Sequence, residues 1–431
     1  MPAQDMVKQS PSDQEGIRDG VKRIVPTPGE EKRLRRKRKS PTNFRLNKQL
    51  VRAESPDEVL AIVGDSIHDF NIVNIGTALY RLALVGGALS PTCRDSLRDD
   101  PRFGLLISEI VETLQGDSTS DSLQHVVLAP KELSNIIWAA TKLGLSESIL
   151  FNAVSRHVIQ HMGHFDSVNL SLTLWGFAKM NQNSGELFSA AIPRVIELLS
   201  EFEPHRICNT VWAFAKTGNT NLELFRLIAE ESLRKIHRFN HSNESMLLYS
   251  YALGHVHAPM LFRKAMAQQL PAIKSGEVQD PRSLSNLLWA ISELNLQDEF
   301  PQIYDEVGNS TKANIHRYSL THMATIASAF AKADIRSDDL FSLMAAECVN
   351  RPIDDPTLWT DLVILNDSFE HFGLPSGIVR ESIIRAVEEQ QVAAEQERLS
   401  KVRSLITDLL GTSAVAALVL IFAALLRMYF S

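Results

Sequence analysis

Two polar residue types recur at fixed distances from one position in a repeated phrase of this chain. An asparagine lies three residues before that position in three copies, and a lysine lies four residues after it in four copies. The asparagines are Asn135, Asn209 and Asn286, and the lysines are Lys142, Lys179, Lys216 and Lys332. An amide can pair with the edges of nucleobases, and a lysine neutralises phosphates. The pattern therefore makes these seven residues candidates for RNA binding, provided that the fold brings them to one surface.

The position between them, which we call the slot, is occupied by aromatic residues in the clearest copies. The phrase LSNIIWAATKLG runs from Leu133 to Gly144, and its relatives place Tyr80, Trp138, Trp175, Trp212, Tyr249 and Trp289 in the slot. From Trp138 onwards the steps between slots are 37, 37, 37 and 40 residues, and weaker copies place Ser328 and Asp367 there. Similarity at a fixed period of this length indicates a repeat architecture.

Each repeat carries the signals of two helices. Pro130, Pro204 and Pro281 lie eight residues before their slots, where a first-turn proline costs no hydrogen bond, and Gly144, Gly218 and Gly254 are natural helix stops. A second marker, usually a phenylalanine thirteen residues after the slot, begins the second helix; its copies are Phe151, Phe188, Phe225, Phe262, Phe300 and Phe341. Because neither helix can bury its apolar surface alone, neighbouring repeats must stack. The predicted fold class is all-α: an α-solenoid of stacked helix-turn-helix repeats of 37–40 residues, plus a C-terminal transmembrane helix.

The first helix of each repeat is apolar or small on most of its circumference. The asparagine and lysine positions, seven residues apart, lie about 20° from each other on one narrow stripe of this helix. We therefore expect the stripe to face the concave groove of the solenoid. The slot aromatics are expected to be structural residues, buried between successive repeats.

The prediction divides the chain into four segments. Residues 1–54 form a disordered basic N-terminal arm, residues 55–387 the solenoid, and residues 388–408 a charged helical stalk. Residues 409–426 are uncharged and long enough, at about 27 Å, to be a transmembrane helix. The arm contains KRLRRKRK at 32–39, which fits a solvated charge run, a nuclear signal, or an arm that binds nucleic acid or anionic lipid.

Composition limits the possible chemistry. The net charge is −7, and since residues 1–54 carry +7, the rest of the chain carries −14. Three cysteines lie far apart, and His157, His161 and His164 belong to a second helix that should form the outer layer, so we expect no metal site. No nucleotide-binding loop or nucleophile motif is present, and the carboxylates are scattered through the period. We expect no cofactor, no catalytic residue and no enzymatic activity.

The phrases LSNIIWAATKLG, CNTVWAFAKTG and LSNLLWAISELN resemble octotricopeptide-type helical repeats. They are also similar to the related repeats of FAST-kinase-like and RAP-containing organellar proteins, and FNIVNIGTALYRLALVG is close to the alveolate versions. Kinetoplastid RNA-editing substrate-binding subunits have a comparable array. This resemblance, over roughly residues 55–375, implies RNA binding in mitochondria or plastids that serves processing, stability, editing or ribosome assembly.

Two functions fit these observations. The first is an RNA-binding solenoid whose groove holds single-stranded RNA, with a mitochondrial or plastid location. The alternative is a membrane-anchored scaffold whose acidic groove holds a protein partner, on the cytosolic face of an organelle membrane. In both, the C-terminal helix is expected to provide a single-pass membrane anchor.

Overall fold

The computed structural model of the chain describes residues 41–86, 96–115, 129–146, 148–182, 184–349 and 358–375, with scattered positions between 377 and 401. All regular structure within these residues is helical. The α-helices are α1 Pro41–Arg52, α2 Pro56–Ser66, α3 Ile72–Gly86, α4 Pro101–Gln115, α5 Pro130–Leu143, α6 Ser148–Gln160, α7 Ser167–Lys179, α8 Gly185–Leu198, α9 Pro204–Lys216, α10 Leu222–Lys235, α11 His241–Leu253, α12 Pro259–Lys274, α13 Pro281–Glu293, α14 Gln302–Ala313, α15 Leu320–Lys332, α16 Asp338–Val349 and α17 Trp359–His371.

The helices form two layers, as an α-solenoid requires. The odd-numbered helices from α3 to α17 carry the slots and are called A helices; the even-numbered helices from α4 to α16 are called B helices. Successive A helices pack side by side without interruption, and far more extensively than successive B helices do. The closer packing of the A layer places it on the inner side of a curved stack. Although 58 residues separate Tyr80 from Trp138, α3 and α5 pack directly against each other.

In five repeats, a buried pair of aromatic rings joins the B helix to the A helix that follows it. One ring belongs to the B helix, and the other lies two residues after the following slot. The pairs, with centroid distances of 5.1–5.3 Å and edge-on geometry, are Phe151–Phe177, Phe188–Phe214, Phe225–Tyr251, Tyr304–Phe330 and Phe341–Phe369. In the Trp289 repeat the ring is therefore Tyr304 and not the predicted Phe300. Edge-to-face pairs of this kind stabilise a core beyond their buried area.

Every A helix from α5 to α17 ends in the same way. The residue six positions after the slot has a positive φ, which reverses the chain into the B helix. The residues are Gly144, Asn181, Gly218, His255, Asn295, Asp334 and Gly373, with φ between 52° and 69°. Helix α11 ends at Leu253 and Gly254 directly follows it, as the sequence predicts, but the left-handed conformation falls on His255. Gly254 instead allows a close approach, since a Cβ there would lie 3.2 Å from a ring atom of Phe225.

The N-terminal boundary of the solenoid lies earlier than the sequence suggests. Residues 41–52, which were assigned to the disordered arm, form α1, and Leu46 and Leu50 of this helix are buried. Helix α1 packs beside α3, and Arg81 of α3 donates hydrogen bonds of 2.7 and 2.9 Å to the carbonyl oxygen of Ala53. These contacts extend the two layers by one more helix pair, α1 and α2.

The membrane-anchored part of the predicted fold class requires correction. Among the helices that the structure describes, none combines the length and the apolar character needed to cross a bilayer. This finding contradicts the predicted transmembrane helix and the single-pass C-terminal anchor. Residues 409–426 themselves, and most of the proposed stalk at 388–408, lie outside the described residues.

Candidate functional site

The A helices expose one stripe to solvent, and the slot residue is part of it. In α9, Asn209 and Trp212 are partly exposed and Lys216 is exposed, whereas the residues on either side of the tryptophan are buried. All six slot aromatics, from Tyr80 to Trp289, are partly exposed in the same way. Trp138, Trp212 and Trp289 pack against the core, but all six rings are less completely buried than the sequence suggests. We define the central strip by four slots, Trp138, Trp175, Trp212 and Tyr249. It consists of each slot residue, the residue three positions before it and the residue four positions after it.

Small residues beside the slot explain how the A helices come close enough to align these stripes. The position after the slot holds Ala139, Gly176, Ala213 or Ala290, and all four are buried. The approach is tightest between α5 and α7, where a Cβ on Gly176 would lie 2.2 Å from Cγ2 of Ile137. Consecutive slot rings consequently lie on neighbouring helices that run side by side.

The polar groups of the predicted site are available to a ligand. Asn135, Asn209 and Asn286 are partly exposed, and within the described part of the chain none of their amides makes a hydrogen bond. The same holds for the indole N–H groups of the four slot tryptophans. The asparagines therefore neither cap nor tie the helices, which leaves hydrogen-bond donors and acceptors open along the strip.

The four predicted lysines fall into two groups. Lys142, Lys179 and Lys216 are exposed at the last turns of α5, α7 and α9, and among the described residues none of them has an ion-pair partner. The Nζ atom of Lys142 lies 5.8 Å from the ring centroid of Trp138. Lys332 differs, because its Nζ atom lies 2.5 Å from Oε2 of Glu293 on the preceding A helix. Three of the four cations are thus free to bind an anion.

The strip changes character after Trp289. Ser328 and Asp367 take the place of aromatic rings, and a depression of about 410 Å³ opens between α15 and α17, lined in part by Ser328, Lys332, Asp367 and His371. His371 lies 3.0 Å from a carboxylate oxygen of Asp334. The C-terminal repeats therefore continue the A layer but lack both its surface rings and its unpaired lysines.

The acidic character of the chain does not extend to the central A helices, although the last A helix, α17, carries Asp361, Asp367 and Glu370 and no lysine or arginine. From α5 to α15, the A helices carry seven basic residues and three acidic ones. The basic residues are Lys131, Lys142, Lys179, Arg206, Lys216, Arg282 and Lys332, and the acidic ones are Glu132, Glu244 and Glu293. The net charge of these helices is therefore +4 (7 − 3), although residues 55–431 together carry −14. A polyanion approaching the inner side meets a positive surface.

Glu244 contributes less negative charge than its type suggests. The residue is buried five positions before the Tyr249 slot, where the other A helices from α5 to α17 carry an apolar residue. Burial raises the pKa of its carboxyl group to about 7, although a hydrogen bond from Nε2 of Gln269 favours the charged form. The group is therefore partly protonated at neutral pH.

The three histidines of the predicted cluster lie in the last turn of α6 and in the turn that follows it. The rings of His157 and His161 lie 4.8 Å apart and the next pair, His161 and His164, 6.2 Å apart. Among the described residues, no group of histidine, cysteine, aspartate and glutamate side chains is arranged to hold a metal ion.

The fold and the strip define a class of protein: an α-solenoid whose inner layer presents a row of partly exposed aromatic rings with free amides and ammonium groups. Comparison with protein families specifies it further. A family model described as RNA-editing substrate-binding complex 6 protein matches residues 109–299 and, in a second alignment, residues 204–377. Together the two matches cover residues 109–377, which is 269 of 431 residues (377 − 109 + 1). The chain belongs to this family. A model that aligns in two overlapping positions also reflects the internal repeats of the chain.

No individual curated protein matches the chain. Family membership supports the resemblance to RNA-editing substrate-binding subunits that the repeated phrases indicate. The finer resemblance to octotricopeptide and FAST-kinase-like proteins stays a prediction.

Proposed function

We propose that this protein binds single-stranded RNA along the central strip, as a non-catalytic component of an RNA-editing or related RNA-processing assembly in an organelle. The mitochondrion is the proposed compartment. The observation that carries this proposal is the combination, on one face, of partly exposed aromatic rings, unbonded amides and unpaired lysines. Proteins recognise single strands with these groups, because rings stack on bases, amides pair with base edges and lysines neutralise phosphates.

The placement of the aromatic rings supports a ligand more strongly than a packing role. Large aromatic side chains in a soluble protein are normally buried as far as the fold allows. Here six of them keep an exposed fraction on the inner layer, and a separate set of rings is buried in the core. The positive charge of the A helices adds the attraction that binding of a polyanion needs.

Family membership also supports a protein partner, because the family is described as part of a complex. We propose that such contacts use surfaces outside the central strip. The alternative, in which the inner groove holds a protein and no RNA, would also use the exposed rings. The two proposals differ in how binding depends on salt and on the three unpaired lysines.

The test measures the affinity of the full chain for a short single-stranded RNA as a function of salt concentration. Replacement of Lys142, Lys179 and Lys216 by Gln removes three phosphate contacts. We expect affinity to fall about 100-fold at about 0.1 M salt, and the slope of log K against log salt to fall by about 2. Glutamine keeps the side chain polar and avoids repulsion at the helix ends.

A matched control removes the same charge from the outer layer. Arg156 of α6 and Lys264 and Lys274 of α12 are exposed residues of the B layer, and their replacement by Gln changes net charge equally. This triple variant should bind RNA with nearly the affinity of the wild-type chain. Equal losses in both triple variants would show a diffuse charge effect and contradict the proposed site. Absence of RNA binding, with a protein partner lost on replacement of the strip lysines, would favour the scaffold.

A further inference from the structure

The slot rings of neighbouring repeats are arranged in two different ways. At the two outer steps the rings already contact each other: Tyr80 and Trp138 have centroids 4.9 Å apart at 33°, and Tyr249 and Trp289 have centroids 4.9 Å apart at 43°. At the three steps between Trp138 and Tyr249, no ring contact occurs among the described residues. We call the first kind closed steps and the second kind open steps.

The open steps coincide with two other features. They are the three steps of 37 residues, whereas the closed steps span 58 and 40 residues. They are also flanked by the unpaired lysines, since Lys142, Lys179 and Lys216 follow the three tryptophans that begin these steps. The closed step at Tyr249 instead has Leu253 and Glu293 in the lysine position, and Glu293 is paired with Lys332.

Room for a base exists only where the rings are apart. A planar base that contacts a ring on each face needs the two rings about 7–8 Å apart, which is twice the contact distance of carbon atoms. Helices that pack side by side are about 8–10 Å apart, so rings projecting from them without leaning together leave that space. A pair with centroids at 4.9 Å leaves none, and opening it would sacrifice the attraction between the two rings.

We propose that the RNA site is limited to the three open steps, which accept up to three unpaired bases by insertion between Trp138, Trp175, Trp212 and Tyr249. The lysine after each tryptophan then contacts the adjoining phosphate. This inference rests on the proposed RNA-binding function and adds its footprint and its ligand class. A duplex is excluded, because its base faces are covered by neighbouring bases.

The test compares identical truncations at open and closed steps in the full chain. Trp175 and Trp212 each border two open steps, whereas Trp289 borders a closed one, and all three side chains are partly exposed. We expect Trp175→Ala or Trp212→Ala to lower the affinity for a single-stranded oligouridylate about tenfold or more, since base–ring stacking is worth about 1–3 kcal/mol. Trp289→Ala should change it less than about twofold. Thermal unfolding of each variant verifies that it is folded.

The outcomes separate the footprint from the function. If the wild-type chain binds RNA through the strip lysines but Trp289→Ala is as harmful as Trp212→Ala, the footprint is wrong and the proposed function stands. Equal affinity for a duplex of the same length would also overturn the footprint. If the wild-type chain binds no RNA, the proposed function fails and the footprint fails with it.

Discussion

The central repeats and the C-terminal repeats share one core and present two different surfaces. The buried edge-on ring pair is present at Phe188–Phe214 in the central region and again at Tyr304–Phe330 and Phe341–Phe369 near the C-terminus. The surface ring is present at Trp212 but is replaced by Ser328 and Asp367 in the later slots. Repeats therefore stack without a slot aromatic. The comparison teaches that the buried ring holds the fold, and that the exposed ring is available for another purpose.

The largest expected effect tests this division within one helix. Phe214 is fully buried and Trp212, two residues earlier in α9, is partly exposed. Phe214→Ala should lower the free energy of unfolding by about 3–5 kcal/mol, the usual loss for a buried aromatic. Trp212→Ala should lower it by about 1–2 kcal/mol, because less of its area leaves water on folding. Urea denaturation gives both values, and equal losses would mean that the slot ring is a core residue after all.

The second prediction compares helix spacing in the two regions. Gly176→Ala would place a Cβ 2.2 Å from Ile137, so α5 and α7 would have to separate. We expect a loss of about 1–3 kcal/mol in unfolding free energy, despite the better helix propensity of alanine. In the C-terminal region, a Cβ on Gly308 would lie 3.4 Å from Phe330, an ordinary contact. Gly308→Ala should leave the unfolding temperature unchanged or raise it, and a comparable loss there would show that close packing is not confined to the A layer.

The third prediction concerns Glu244. Among the described residues five positions before a slot, it is the only ionisable one. The folded state raises the pKa of Glu244 to about 7, whereas the unfolded chain releases the proton near its ordinary value of 4.5. The native state therefore holds more protons between these values, and stability falls as pH rises through this window. We expect a loss of about 1–2 kcal/mol in unfolding free energy from pH 5 to pH 8 that is attributable to this group.

Glu244→Gln should remove that part of the pH dependence while keeping the hydrogen-bonding shape of the side chain. The nearby His241, with Nδ1 3.8 Å from Oε2 of Glu244, is unchanged in this variant. An unchanged pH profile in Glu244→Gln would assign the dependence to another group.

The smallest expected effect converts the C-terminal surface towards the central one. Glu293→Gln removes the partner of Lys332 and leaves a free cation beside Trp289. If one more phosphate contact forms, affinity for an RNA long enough to reach it should rise about fivefold at about 0.1 M salt. Lys332→Gln in the wild-type background should have little effect, because the lysine is already neutralised. If the double variant with Glu293→Gln and Lys332→Gln also binds RNA more tightly than the wild-type chain, Lys332 is not the cause and this explanation is excluded.

The regular part of the fold could be predicted from the sequence because it depends on spacing alone. The period, the helix pair, the first-turn prolines and the apolar circumference of the A helix all follow from residue type and helical geometry. The same geometry also places the slot beside the predicted polar stripe, since it lies three residues after the asparagine and four before the lysine. Residue type predicts a buried Trp212 and position predicts a partly exposed one, and the structure follows position.

Other features depend on contacts between residues far apart in the chain. The neutralisation of Lys332 by Glu293 joins two A helices 39 residues apart, and no local pattern announces it. The contact between Tyr80 and Trp138 likewise depends on the direct packing of α3 against α5. The sequence does not show this packing, because the connection between the two helices is longer than in the other repeats. In contrast, the left-handed conformation of His255 can be predicted from the sequence, because this residue lies six positions after its slot, as Gly144 and Gly218 do.

The left-handed turn that ends each A helix from α5 to α17 has a consequence for how such a protein can change over time. The residue six positions after each slot sets the geometry of the repeat, and it does so with glycine, asparagine, histidine or aspartate. Since the turn and, in five repeats, the buried ring pair set the geometry of the stack, substitutions at the exposed positions change the surface at little cost to that scaffold. A lineage can therefore exchange one recognition surface for another by point mutation, and a designer can rewrite the exposed positions one unit at a time.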